Sequence, residues 1–326
     1  MEPQFFLPSK YLPDETRRRE WEAGTLHRLE EAGKVACAQC WIYQTWLKLT
    51  QAGFLCSLVD EMPSSGLVVT LTGFLPRDFT PPPGVFLAGI VADFATHPGA
   101  HVQILQNAAH AARHRESVFM PLWTQPGLVP RDSSRGEKFE TIAFFGDPGN
   151  LDPALRDPTW QKMLRDELGL RFEVRAADQW HNYADVDCVV AVRGFDGRRH
   201  IHKPATKLYN AWLAGVPFIG GPDSAYAAEG EEAYLKINAL DELTNALRLL
   251  KSDPAFRRTL AAEGSRRAPA YTHEAITQRW ITLLRDDLPI RAQAWKKTPG
   301  WHQRLQTATQ SSAYFIENKL GRFRRD

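Results

Sequence analysis

The 326-residue chain reads as an α/β protein of two doubly wound domains facing a cleft. Three observations predict this. Short apolar runs bounded by turn residues alternate with helix-length segments in both halves. The stretch Trp123 to Lys138, WTQPGLVPRDSSRGEK, breaks that alternation with Pro, Gly, Ser and charge. It has no apolar period and has the composition of an interdomain connection. The length is comfortable for two cores.

The elements follow in order. Residues 1–33 are polar and Pro-punctuated, and Asp14 to Glu31 has a helical pattern with Arg17, Arg18, Arg19 and Glu20 on solvated faces. Gly33 stops it. A helix over Lys34 to Gln51 and a strand over Phe54 to Val59 come next. Further strands are expected over Gly66–Leu71, Val85–Val91, Val102–Leu105 and Ser117–Met120. Pro81-Pro82-Pro83 and His97-Pro98-Gly99 leave room only for short or irregular crossovers. These elements form an N-terminal domain over residues 1–130.

The second series begins with a strand Thr141–Phe145 that ends in Gly146, then a helix Pro158–Leu168 ended by Gly169. Strands Arg171–Arg175 and Cys188–Val192, a helix Ala205–Ala214 ended by Gly215, and a strand Val216–Ile219 follow. Gly220-Gly221 closes that strand. A strand Ala233–Ile237, a helix Leu240–Lys251 and a long helical stretch Pro254–Leu284, with a break expected near Pro269, complete a C-terminal domain over 139–290. Residues 291–326 form a basic helical tail.

Composition narrows the function. The apolar and charged fractions, 43% and 24%, are those of a soluble globular protein. A net charge of +2 does not point to nucleic acid. No apolar run approaches the roughly 20 residues of a membrane span. The first residues lack a basic start followed by an apolar stretch, so no signal peptide is expected. Four cysteines make no disulfide framework, and a reducing, cytoplasmic location is expected. Cys37-Ala-Gln-Cys40 lies inside an apolar helical stretch and reads as two small core residues, not as a metal or redox pair.

The segment from His202 to Gly221, HKPATKLYNAWLAGVPFIGG, carries the chemistry. Pro204 suits the first turn of a helix, and Thr206 places a hydroxyl there. The free N–H groups and the positive end of the helix dipole favour an anion. Lys203 and Lys207 add two charges, and Arg193, after the preceding strand, adds a third. Arg193, Gly146 and Gly220-Gly221 fall at the carboxyl ends of strands, where open α/β sheets bind ligands. A diphosphate is the economical ligand, since glycines admit close backbone approach. His181 and Tyr183, beside Trp180, are candidates to stack on or hydrogen-bond a base or sugar. Arg131 and Arg135 at the hinge are charges either solvated or within reach of phosphate.

Lys203-Pro-Ala-Thr-Lys207-Leu-Tyr-Asn210-Ala-Trp-Leu-Ala-Gly215-Val-Pro-Phe-Ile219 resembles the donor-binding segment of GT-B glycosyltransferases. The likeness is greatest to their large retaining family, whose segment reads roughly K-x-x-K-L-x-E-A-x-A-x-G-x-P-V-I. Tyr183 to Arg193 is similar to the stretch just upstream. The resemblance covers about 120 residues of the second half. It implies two Rossmann-like domains, a nucleotide sugar held mainly by the second, and transfer to an acceptor held mainly by the first. It also implies no catalytic metal and no cofactor beyond the donor. Gly146, His181, Tyr183, Arg193, His202, Lys203, Thr206, Lys207, Asn210, Gly220 and Gly221 are the expected donor-binding residues. His202 and Asn210 stand where the family has two glutamates, Asn210 being the expected ribose partner. This departure keeps open a catalytically inactive GT-B-like module that binds a glycan or a protein.

Acceptor-side candidates rest on position. Asp93 and His97 follow the strand Val85–Val91 and are the candidate bases toward an acceptor hydroxyl, against a plain turn. The acceptor class is a glycan, a lipid-linked sugar or a small molecule. The tail reads as a solvated helix, as a contact with the anionic face of a membrane or, last, as a nucleic-acid contact.

Overall fold

The computed structural model describes residues 2–25 and 33–323. They divide into two compact units, residues 2–22, 33–120 and 276–323 forming the first, and 23–25 and 121–275 the second.

The first unit is built on six parallel strands in the order β2-β1-β3-β4-β5-β6. They are β1 (Pro3–Phe6), β2 (Ser57–Val59), β3 (Ser65–Leu71), β4 (Gly84–Ile90), β5 (Val102–Leu105) and β6 (Ser117–Phe119). The expected strands are all present, with shifts at their ends. β1 was not expected. It is four residues long and starts at a proline, a position where a strand tolerates one. It nevertheless pairs with both β2 and β3 and buries Phe5 completely. The expected helix 14–31 is realised as Glu15–Ala23, and its residues from 26 onward lie outside the described residues.

Residues 34–51 are helical throughout, with a π turn at Gln39–Tyr43 that buries Trp41, Ile42 and Tyr43. Cys37 and Cys40 lie on this helix, neither in a disulfide, and burial pushes the Cys40 thiol up to about 12. Such a thiol stays protonated and unreactive at neutral pH.

The second unit holds five parallel strands in the order β11-β10-β9-β7-β8. They are β7 (Thr141–Phe145), β8 (Arg171–Arg175), β9 (Cys188–Ala191), β10 (Phe218–Gly220) and β11 (Leu235–Lys236). Alternate residues serve opposite faces, as strand geometry requires. Ala143, Phe145, Val189, Ala191 and Phe218 pack with the helix Thr206–Ala214. Ile142, Phe144, Cys188, Val190 and Ile219 pack with the helices Pro158–Leu168 and Leu240–Ser252. β7, β9 and β10 are covered on both faces, so these inner strands read as continuous apolar runs, while the edge strand β8 keeps charged residues. This is the doubly wound sheet that the sequence predicts.

The long stretch from Pro254 breaks where Pro269 predicts, into Pro254–Arg267 and His273–Thr282. Its second part corrects the expected domain boundary at 290. Residues from 276 onward belong to the first unit, where the fully buried Trp280 ring packs edge-on to Phe5 at 6.4 Å and Trp41 at 6.5 Å. An apolar helix face buries against whichever sheet offers it a matching surface, and here β1 does so.

Helix ends follow the residues that cap them. Asp157 accepts the Thr159 N–H at 2.7 Å, and Gly169 ends the helix Pro158–Leu168 in a left-handed conformation at φ 60°. A Cβ at Gly169 meets nothing closer than Lys251 Nζ at 4.0 Å, so the position is conformationally strained for other residues but not crowded. Gly169→Ala is therefore expected to cost about 1 kcal/mol, read as a urea midpoint shift with unchanged slope.

Candidate functional site

In the second unit β7 lies between β8 and β9, so the crossovers from β7 and β9 leave in opposite directions. Their carboxyl ends mark the topological switch point, where an open α/β sheet leaves a crevice for ligand. Gly146 follows β7 and Arg193 follows β9 by two residues. The helix Thr206–Ala214 starts beside them. A Cβ placed on Gly146 would lie 3.1 Å from Lys207 Cε and 3.0 Å from the Phe144 ring. Any larger residue there would displace the lysine. Lys207 Nζ sits 5.3 Å from the centre of the Phe144 ring, which steadies the cation from below.

No side chain caps the helix start. Ala205 occupies the cap position and supplies no side-chain hydrogen bond. Thr206 Oγ1 is buried without a hydrogen-bond partner among the described residues. Four N–H groups at such a start seek acceptors. Arg193 is held on two sides. Its Nη1 donates to Asn150 Oδ1 at 2.9 Å, and its Nε lies 3.3 Å from Asp223 Oδ1. Asp223 is 2% exposed, and neither carboxylate oxygen accepts a hydrogen bond from the described residues. Burial pushes its carboxyl up, while Arg193, His200 and Lys207 pull it back toward ionisation. His200 stands in the loop before the helix with φ 41°, a rare conformation for such a residue. Burial lowers its imidazole below the ordinary range, against the pull of Asp223. Two basic side chains, an uncapped helix start and one buried carboxylate thus meet at one crevice. Such a site attracts an anion of more than one charge.

Gly221 belongs to this place. Its N–H donates to Ala191 O at 3.1 Å, and a Cβ there would lie 3.6 Å from Asp223 Oδ2. Gly220 faces the other way, toward the Phe218 and Tyr226 rings at 2.8 and 3.0 Å, so its smallness serves packing. His202 and Lys203 are half-buried in the turn before the helix, where the Lys203 N–H donates to His200 O at 2.9 Å. His181 lies in the loop after β8 and accepts the Val129 N–H on its backbone carbonyl at 2.8 Å.

Three expected residues are spent elsewhere. Tyr183 is fully buried and stacked on Phe145 at 4.0 Å, so its ring is core and is not offered to a base or sugar. Asn210 is 6% exposed, and its Oδ1 accepts the Gln125 N–H at 3.0 Å, which ties the connecting segment to the helix. His97, in the first unit, is 3% exposed and locked at both nitrogens. Gly99 N–H donates to Nδ1 at 3.0 Å, so Nε2 carries the proton and donates to Pro76 O at 2.9 Å. Burial lowers its pKa further, and with no nitrogen left over it is no base. Asp93 differs. It is exposed beyond β4, accepts the Gln106 Nε2–H at 3.1 Å, and follows Ala92, whose φ of 47° turns the chain there.

Arg131 and Arg135 are also committed. Both reach Asp187, which is 1% exposed, through bonds of 2.8–3.0 Å. Asp223, His200 and Asn150 were not singled out in the sequence. The one signal for them is position, since each lies in a loop that follows a strand's carboxyl end.

No protein-family model and no curated protein sequence matches the chain. Solved structures do. HepE from Anabaena, in complex with UDP and glucose, superposes over 88% of this chain and 100% of its own, at a TM-score of 0.53 and 14% identity. The chain has the GT-B glycosyltransferase fold. The same protein with UDP-glucose bound covers 87% of this chain and 99% of its own, with a TM-score of 0.51 and 12% identity. Sucrose-phosphate synthase from Thermosynechococcus elongatus covers 87% and 98%, at 0.49 and 13%. Within the GT-B fold the second, five-stranded unit carries the crevice described above. Among the described residues no three His, Cys, Asp or Glu side chains converge as metal ligands.

Proposed function

We propose that this chain is a glycosyltransferase that moves a sugar from a nucleoside diphosphate to a hydroxyl acceptor. The observation that carries the reading is the meeting of Arg193, Lys207 and the uncapped helix start Thr206 at Gly146, on the switch point of the second unit. Departure of the diphosphate builds negative charge on its terminal phosphate. Fixed cations and backbone N–H groups aimed at that oxygen stabilise the transition state more than the ground state. Arg193 enters pre-oriented by Asn150 and Asp223, which lowers the ordering cost. Gly146 and Gly221 let backbone approach the phosphates. Lys203 adds charge, and His181 and His202 are the contacts proposed for the base or sugar. Asp93, exposed and held by Gln106, is the base toward the acceptor hydroxyl. Cationic side chains take the place of a metal in this scheme. HepE was crystallised with UDP and with UDP-glucose, which supports the donor class.

The commitment of Asn210 to Gln125 favours one second reading, an inactive GT-B-like binding module, because the expected ribose partner is occupied. A thermal-shift panel separates the two. UDP-, GDP-, dTDP- and ADP-sugars are each added at a concentration well above a micromolar Kd. One nucleotide group is expected to raise Tm by several degrees, as binding linkage requires, and that donor should then be consumed in the presence of acceptor. No shift with any of the four would remove the donor site. A shift without turnover would favour the binding module.

A further inference from the structure

The helix Gly300–Phe323 of the first unit sits with its polar side inward. In the orientation its neighbours require, the Gln310 amide donates to Pro98 O at 2.8 Å and Ala100 O at 3.2 Å. Gln303 Nε2 donates to Trp295 O at 2.9 Å, and the Tyr314 ring lies 6.5 Å from His97 and 5.8 Å from the Arg77 guanidinium. At about 100° per residue, positions 303, 310 and 314 fall within roughly 40° of one another. The opposite side is apolar. Trp301 is 65% exposed, Leu305 57%, Phe315 47% and Ile316 55%. These four positions fall within an arc of about 100°, centred on the far side of the helix from Gln310. A soluble protein ordinarily turns such a stripe inward, so an outward one marks a surface that works against another phase.

Charge identifies that phase. Residues 291–326 hold eight of the 40 Lys and Arg side chains but only two of the 38 Asp and Glu, so the remainder of the chain is net acidic. Lys296 and Lys297, just ahead of the stripe, are exposed, as is Ile290 at 67%. A second copy of this helix would bring two strongly basic segments face to face, which opposes pairing. Nucleic acid would meet the charge but leave the stripe unused. An anionic bilayer satisfies both, since acyl chains receive aromatic and aliphatic side chains and headgroups receive the basic excess.

We propose that the outer face of the helix Gly300–Phe323 docks the protein on an anionic membrane surface, with Trp301, Leu305, Phe315 and Ile316 at the headgroup–acyl boundary. Taken with the glycosyl transfer proposed above, on which this clause alone rests, the acceptor is then a lipid-linked hydroxyl. Docking itself is independent of turnover.

The test is co-sedimentation of the full chain with vesicles of phosphatidylcholine alone and of phosphatidylcholine with phosphatidylglycerol in equal parts. Binding to the mixed vesicles is expected at least about tenfold tighter, and should weaken in high salt. Leu305→Ser with Ile316→Ser should weaken it by a further factor of about ten or more, and Tm should stay within a degree because the two side chains are 57% and 55% exposed. Equal binding to both vesicle types would overturn the proposal. So would retention of full binding by the double variant. If neither vesicle binds and the chain is a dimer that the double variant dissolves, the stripe is a self-association surface and the proposal also fails.

Discussion

Replacing Asp187 by Ala destabilises the second unit by about 3 kcal/mol, measured as a lower urea midpoint. The carboxylate gathers five donors. Arg131 Nε and Arg135 Nε reach Oδ1 at 2.9 and 3.0 Å, while Arg135 Nη2, Glu140 N–H and Thr141 N–H reach Oδ2 at 2.8, 2.8 and 3.0 Å. Truncation strands two guanidinium groups and two backbone donors in one place. The effect sits at the low end of the range for breaking a buried pair, because the two arginine side chains keep 17% and 18% exposure and can turn to water. Burial alone would raise the Asp187 carboxyl, but the Arg135 bond, the backbone N–H groups and Arg131 outweigh it and hold the pKa below the usual value of 3.8. A lowered folded-state pKa gives stability that is present above the unfolded value, near 4, and lost as pH falls through the folded one. Asp187→Asn should therefore flatten the pH dependence of stability below pH ~4. An unchanged acid limb in that variant would show that the carboxylate does not carry it.

Lys207→Ala lowers kcat/KM for sugar transfer by a factor of about 10² to 10³, the loss that accompanies removal of one transition-state donor. The fall should appear mainly in kcat, since the charge on the leaving phosphate grows toward the transition state. Stability should change little, because the ammonium group rests on the Phe144 ring without occupying the core. Lys207→Arg should recover only part of the rate. The guanidinium is wider than the ammonium, and the space over Gly146 admits no more than the lysine stem, whose Cε lies 3.1 Å from where a Cβ would stand. Wild-type turnover by Lys207→Ala would end the assignment of the diphosphate to this helix start.

Much of the second unit was legible because its punctuation is local. The bounds Thr141–Phe145, Pro158–Leu168 and Arg171–Arg175 coincide with observed elements, since Asp157, Gly169 and the flanking charges mark their ends. β1 was not legible. Four residues present only two side chains to each face, too few for a period, and its place between β2 and β3 is decided by partners more than fifty residues away. The same holds for the boundary near 276, because the pattern of an amphipathic helix does not say which sheet it covers. In the candidate site, Gly146 and Arg193 are read from one rule about strand ends, and Lys207 from the helix start that Pro204 marks. Tyr183, Asn210 and His97 were misread because their types suit a ligand and the core equally well. Only the ring of Phe145, the N–H of Gln125 and the N–H of Gly99 decide between the two. Asp223 and His200 had no local pattern at all.

The placement of Trp280 against Phe5 and Trp41 has a consequence for synthesis on the ribosome. β1 emerges before residues 121–275, and the helix segment that completes its packing, with Trp280, emerges after them. Residues 121–275 are therefore able to reach their native state while the chain ahead of them still waits for its closing segment. Until that segment arrives, the nascent protein exposes the aromatic surface that Trp280 covers, and this interval is when a holding chaperone has most to bind.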